Sequence, residues 1–106
     1  MIVARWQLDA KFGHKPKVID SLKKWFEEIG SEIGWTLDKV RITTGSVGAL
    51  ESTVVAEIVL ENLTELDQSW TKLGNVQGHK EWSIEIEPYV VSGTPKWEVF
   101  RIVQKD

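Results

Sequence analysis

With 106 residues, 42% of them hydrophobic and 27% charged, the chain has the composition of one folded soluble domain, residues 1–106, built on a single core. Thirteen Lys and Arg against sixteen Asp and Glu leave a net charge of -3, and the basic residues are scattered, which argues against a nucleic-acid partner. The absence of cysteine excludes a disulfide framework, a thiolate zinc site and a thiol nucleophile.

The chain opens MIVARWQLDA, with Arg5 and Asp9 where a signal core would be apolar, and no apolar run approaches the ~18 residues of a membrane span. A cytoplasmic protein with no membrane partner is expected. Ile2, Ala4, Trp6 and Leu8 alternate with Val3, Arg5, Gln7 and Asp9, the period-two pattern of a strand. Phe12 to Pro16 breaks it, and Pro16 suits the first turn of a helix. Val18, Ile19, Leu22, Trp25, Phe26, Ile29 and Ile33 then recur at helical spacing, opposite Lys17, Asp20, Lys23, Lys24, Glu27 and Glu28. Gly30 or Gly34 ends this helix.

Trp35 to Thr44 reads as a second strand, and the glycine-bearing Thr44 to Glu51 as a hairpin connection. Ser52 to Glu61, STVVAEIVLE, is apolar on both sides of an extended chain and needs cover on two faces. Asn62 can cap a helix with Glu65 three residues on, and Leu63, Leu66, Trp70 and Leu73 form its stripe up to Gly74-Asn75. From Gln77 to Ser92 the periods conflict. Trp82, Ile84 and Ile86 alternate with Ser83, Glu85 and Glu87 as in a strand, whereas Trp82, Ile86, Tyr89 and Val90 lie at helical spacing. Alternation favours the strand. Gly93-Thr94-Pro95 makes a turn, and Lys96 to Gln104 is a last strand, apolar on both sides.

Strand, helix, strand, strand, helix, strand is the split β-α-β arrangement of a ferredoxin-like α+β sandwich, a four-stranded antiparallel sheet with both helices on one face. Val55, Val59, Trp97, Val99 and Val103 are then expected on the other face, a greasy surface larger than monomers usually tolerate. A homodimer joined sheet to sheet is the expected remedy.

The third strand with its continuation TVVAEIVLENLTEL, the tryptophan in SWTKLG and the ending EPYVVSGTPKWEVFRIV resemble the dimeric α/β-barrel superfamily, and within it the small NIPSNAP-like proteins. The resemblance spans most of the chain. It implies a helix over the segment matching Gln77 to Val91, in place of the strand that alternation favours. It also brings in a comparison with haem-degrading monooxygenases of the same superfamily. These have a tryptophan followed by a haem-ligating histidine, similar to Trp70 and His79, although the spacing here is shorter and the first strand offers Gln7 where those enzymes have asparagine.

Two candidate sites follow. If Trp6, Val40, Ile42, Ala56, Ile58, Phe100 and Ile102 face the helices, then Arg5, Arg41, Glu57 and Arg101 share the face that meets the partner. Either Glu57 pairs with Arg5 and Arg101 while Arg41 reaches solvent, or surplus arginines clamp an anionic ligand whose tail lies on Val55, Val59, Trp97 and Val99. The second site is Trp70 with His79, where a neutral imidazole could ligate haem iron or serve as a solvated or capping residue. Trp70 and Trp82 are placed near a cavity, with Tyr89 as a further wall, and the remaining tryptophans in the core. His14 is expected at the surface or at a pocket mouth, and two histidines without carboxylates at ligand spacing give no metal site. The expected function is binding of a small hydrophobic or amphiphilic, fatty-acid-like ligand without a cofactor. The alternatives are a cofactor-independent or haem-degrading monooxygenase, and a purely structural assembly role.

Overall fold

The computed structural model describes residues 1–103. Strand β1 (Ile2–Asp9) leads to helix α1 (Lys15–Glu28), and β2 (Val40–Thr44) and β3 (Thr53–Leu60) form a hairpin. Helices α2 (Leu63–Leu73) and α3 (His79–Ile86) then precede β4 (Lys96–Arg101). The four strands lie in the order β2-β3-β1-β4 and every neighbouring pair is antiparallel. This is the ferredoxin-like α+β fold. Among the described residues, no helix is long and apolar enough to cross a membrane.

The period-two pattern of β1 and β3 does what it requires. Ala4, Leu8, Val54, Ala56, Ile58 and Leu60 are buried on the helix side of the two central strands, against Val18, Leu22, Trp25, Phe26 and Leu66 of α1 and α2. Each fully buried Val, Leu or Ile among them contributes about 1.5–3 kcal/mol relative to exposure. Pro16 sits in the first turn of α1, where its missing N–H costs nothing. Beyond α1 a 3-10 turn, Gly30–Ile33, ends at Gly34, whose φ of 84° suits glycine alone.

That reversal changes the second strand. Trp35 is not part of the strand: its N–H donates to the Gly30 carbonyl at 2.8 Å and the residue is 2% exposed. A further 3-10 turn, Leu37–Lys39, intervenes before pairing starts at Val40. The expectation of a strand from Trp35 is thus corrected, because the glycine turn sends the indole back into the core.

Asn62 caps α2 by accepting the Glu65 N–H at 2.9 Å, and the Glu65 carboxylate accepts the Glu61 N–H at 2.8 Å. The ambiguous segment is helical. Trp82 lies on the α1 side of α3 and its Nε1–H donates to the Ser21 carbonyl at 3.1 Å, a tie that an extended chain could not make from this position. Pro88 falls in the 3-10 turn Glu87–Tyr89 just past α3, so it breaks no α-helical bond.

The last strand departs most from expectation. Trp97 pairs with Trp6, Val99 with Ala4 and Arg101 with Ile2, so all three lie on the helix side, while Glu98 and Phe100 share the bare face with Arg5 and Val3. The sequence alone points to the inverse. A strand that is apolar on both sides carries no parity signal, and a one-residue slip exchanges its faces. Of the residues expected on the bare face, Val55 and Val59 are there, Trp97 and Val99 are not, and Val103 lies past the strand, exposed. The strand's expected end at Gln104 is outside the described residues.

Candidate functional site

All six tryptophans line one cavity of about 210 Å³ between the sheet and the helices. They come from six places in the chain: Trp6 on β1, Trp25 on α1, Trp35 after the Gly34 turn, Trp70 on α2, Trp82 on α3 and Trp97 on β4. Their rings form an unbroken series. Trp70 lies 5.5 Å from Trp97, Trp97 6.0 Å from Trp35, Trp35 6.1 Å from Trp25, Trp25 6.0 Å from Trp82 and Trp82 6.3 Å from Trp6. These are separations at which tilted and edge-to-face aromatic pairs attract. Trp70 and Trp97 are more than a third exposed, so the series reaches the surface, whereas Trp25 and Trp35 are buried at its middle. Leu22, Phe26, Ala56, Ile58 and Leu73 complete an apolar lining. The indole N–H of Trp35 is buried and has no hydrogen-bond partner among the described residues.

His79 and Ser83 add the polar groups. The Nδ1 of His79 accepts the Nε1–H of Trp25 at 3.1 Å, and its ring stacks on Trp82 at 6.5 Å and 13°. Burial holds its pKa below the ordinary 6.5, so the imidazole is neutral at neutral pH and carries its proton on Nε2. The Ser83 hydroxyl donates to the His79 carbonyl at 3.1 Å. His79 thus brings a neutral imidazole with an Nε2–H to a lining that is mostly aromatic and aliphatic.

The same bond decides how well these residues fit haem. A histidine that ligates iron through Nε2 needs a proton on Nδ1 and an acceptor for it. Here Nδ1 faces an indole donor, so ligation would set one N–H against another. A space of about 210 Å³ also holds one or two rings rather than a tetrapyrrole. The site does not fit haem. Among the described residues, no group of three His, Asp or Glu could hold a metal ion.

The charged residues lie elsewhere. Arg5, Arg41 and Glu57 occupy the bare face, behind the sheet from the cavity, and Arg101 is on the other side near the β4 edge, exposed. Arg41 donates to Glu57 at 3.1 and 3.2 Å, Arg5 lies 3.9 Å from Glu57 and 3.5 Å from Glu98, and Lys96 lies 4.0 Å from Glu98. The result is a ladder of alternating charge across all four strands, with the Arg5 guanidinium 5.5 Å from the Phe100 ring centroid. The expected pairing of Arg101 with Glu57 is replaced by Arg41, because Arg101 has the opposite parity. Glu98, which sequence reasoning missed, takes the second side of Arg5.

Of the expected walls, Trp70, Trp82 and Trp97 line the cavity together with His79, and Tyr89 does not. Tyr89 packs with Val90 around Ile86, its ring 5.3 Å from that of His14 and 5.7 Å from the Lys17 ammonium. Trp6, Trp25 and Trp35, expected in the core, line the cavity as well. The signal that could have included them was the tryptophan count itself, six indoles on so short a chain.

No protein-family model and no curated protein matches this chain. Solved structures do. A NIPSNAP family protein from Agrobacterium tumefaciens superposes with a TM-score of 0.76 at 14% identity, over 96% of this chain and 92% of that one. An uncharacterized NIPSNAP domain protein from Burkholderia xenovorans gives 0.69 at 17%, over 97% and 95%. A putative antibiotic biosynthesis monooxygenase from Nitrosomonas europaea gives 0.66 at 8%, over 98% and 100%. The fold is that of NIPSNAP proteins and of these monooxygenase-like proteins, as the sequence resemblance implied. At such identities the likeness speaks for the fold alone.

Proposed function

We propose that the protein is a homodimer in which each subunit holds a small hydrophobic molecule with a flat, ring-sized body in the tryptophan-lined cavity. The convergence of six indoles from six separate segments on one small space carries this reading. An engineered cavity of about 150 Å³ lined by aliphatic and phenyl side chains holds benzene, so a space of about 210 Å³ suits a single or fused pair of rings. Indole walls add edge-to-face attraction of roughly 0.5–1.5 kcal/mol per pair. The His79 Nε2–H offers a donor to a ligand hydroxyl or carbonyl. An acidic head group clamped by Arg5 and Arg41 does not enter this reading, because the sheet stands between those arginines and the cavity.

The dimer reading rests on the bare sheet face. Val59 and Phe100 are 44% and 47% exposed there, beside a charge ladder that a two-fold copy can complement. Burial at roughly 25 cal/mol per Å² favours covering such a surface. Sedimentation of the purified protein should give twice the chain mass at micromolar concentration; a monomer at that concentration would contradict it. For the ligand, calorimetric titration with naphthol should give saturable binding at one site per chain with a negative heat-capacity change. Failure to saturate up to the solubility limit would sink the binding role.

The second reading, a cofactor-independent oxygenase of an aromatic substrate, draws on the likeness to monooxygenase-like structures. It needs a base in the cavity. The basic nitrogen of His79 is occupied by Trp25, and we therefore assign the site to binding.

A further inference from the structure

The tryptophan cavity adjoins a second space at Trp6 and Trp82. These two side chains, with Ser83, also line an open groove of about 700 Å³ that runs beside the end of α3. The groove has Leu8 of β1, Ile86 of α3 and the Val90-Val91 segment in its lining, and Ile84 at its edge is 61% exposed. Val91 is held there by donating to the Asp9 carbonyl at 2.9 Å, and the Lys11 N–H donates to the Tyr89 carbonyl at 2.9 Å. Those bonds fix Lys11 beside the apolar wall. Of the lysines on the segment between β1 and the start of α1, Lys15 pairs with Glu51 and Lys17 lies over the Tyr89 ring. Lys11 lines the groove and has no ion pair among the described residues, Glu87 included, although that carboxylate lines the groove as well.

Resting on the ligand reading above, we infer that cavity and groove form one two-part site for an amphiphile. A ring lies among the indoles, an alkyl chain passes Trp6 and Trp82 along the groove, and a terminal carboxylate meets Lys11. The occupant follows from three features: shared walls between a ring-sized space and a longer apolar one, exposed aliphatic groups along the longer one, and, among the described residues, a single cation on its lining that has no ion pair. A lysine stem lies along apolar surface and carries its ammonium to the water's edge, where a carboxylate can stay partly hydrated.

The test is calorimetric titration of the whole protein with naphthol and with naphthyl acetic, butanoic and hexanoic acids. Affinity should rise about fourfold per methylene over that series. Ile84→Glu, at an exposed position, should flatten the rise and leave naphthol binding unchanged. Lys11→Glu should abolish the preference for the hexanoic acid over the matching alcohol, and Lys11→Arg should keep it. A flat series with naphthol still bound would overturn the groove and spare the cavity. A naphthyl alkylamine that binds more tightly than the acid would overturn the pairing of a carboxylate with Lys11, since the chain end would then belong to Glu87 of the same groove. Loss of all binding, naphthol included, would remove both.

Discussion

Acid should weaken the fold through His79. Its Nδ1 accepts the Trp25 Nε1–H at 3.1 Å, and burial depresses its pKa from 6.5. The unfolded chain, with the ordinary value, takes up the proton first as pH falls. Between 6.5 and the lower folded value the unfolded state thus binds more protons, and stability rises with pH across that window. The contribution is complete above 6.5 and declines as the solution is acidified below it. Protonation also costs the bond to Trp25. Protonating Nδ1 turns an acceptor into a donor that faces a second donor, so the loss approaches the net worth of one hydrogen bond, about 1 kcal/mol. Guanidinium unfolding at about pH 7.5 and about pH 5.5 measures it, with His79→Gln as the control. Glutamine keeps an acceptor for Trp25 and does not titrate in this range. Wild type should lose roughly 1 kcal/mol more than the variant between the two conditions. An equal loss in both proteins, or a wild type more stable at the lower pH, would refute the argument.

Glu57→Gln tests the bare face. The side chain is 13% exposed between Arg41 and Arg5, but Arg41 is 74% exposed, so the protomer alone should lose under about 1 kcal/mol. If a partner dries this face, dimer dissociation measured by sedimentation should become easier by about 2 kcal/mol or more. Asn62→Ala removes the acceptor for the Glu65 N–H and should cost about 1 kcal/mol in thermal unfolding. Gly45→Ala would place a Cβ 1.7 Å from the Leu50 carbonyl oxygen. Opening the β2-β3 connection to relieve that contact should cost roughly 2 kcal/mol, read from the denaturant midpoint.

Much of the fold is legible in the sequence because the relevant signals are local. The alternation of Ile2 to Asp9, the stripe from Val18 to Ile29 and the Asn62-Glu65 cap each need only near neighbours, and each is found where expected. The helix at Trp82 is different. Its side chain is tied to Ser21, which lies 61 positions away, and alternation cannot register such a partner. The parity of Trp97, Val99 and Arg101 is likewise set by pairing with Trp6, Ala4 and Ile2. That misassignment placed Arg101 beside Glu57 and placed Trp97 away from Trp70. The cavity was half visible, in Trp70, Trp82 and His79, because they surround the break after α2. Trp6, Trp25 and Trp35 join them only through the tertiary arrangement of α1, α3 and the sheet. Glu98 escaped notice because its role depends on lying directly across from Arg5.

A crystal structure of the protein soaked with naphthol bears most directly on the binding role. Ring-shaped density between Trp25, Trp70 and Trp97, with the hydroxyl oxygen within hydrogen-bonding reach of His79 Nε2, is the predicted result. The same space filled by the protein's own side chains, with naphthol absent or bound only at the outer surface, would contradict it.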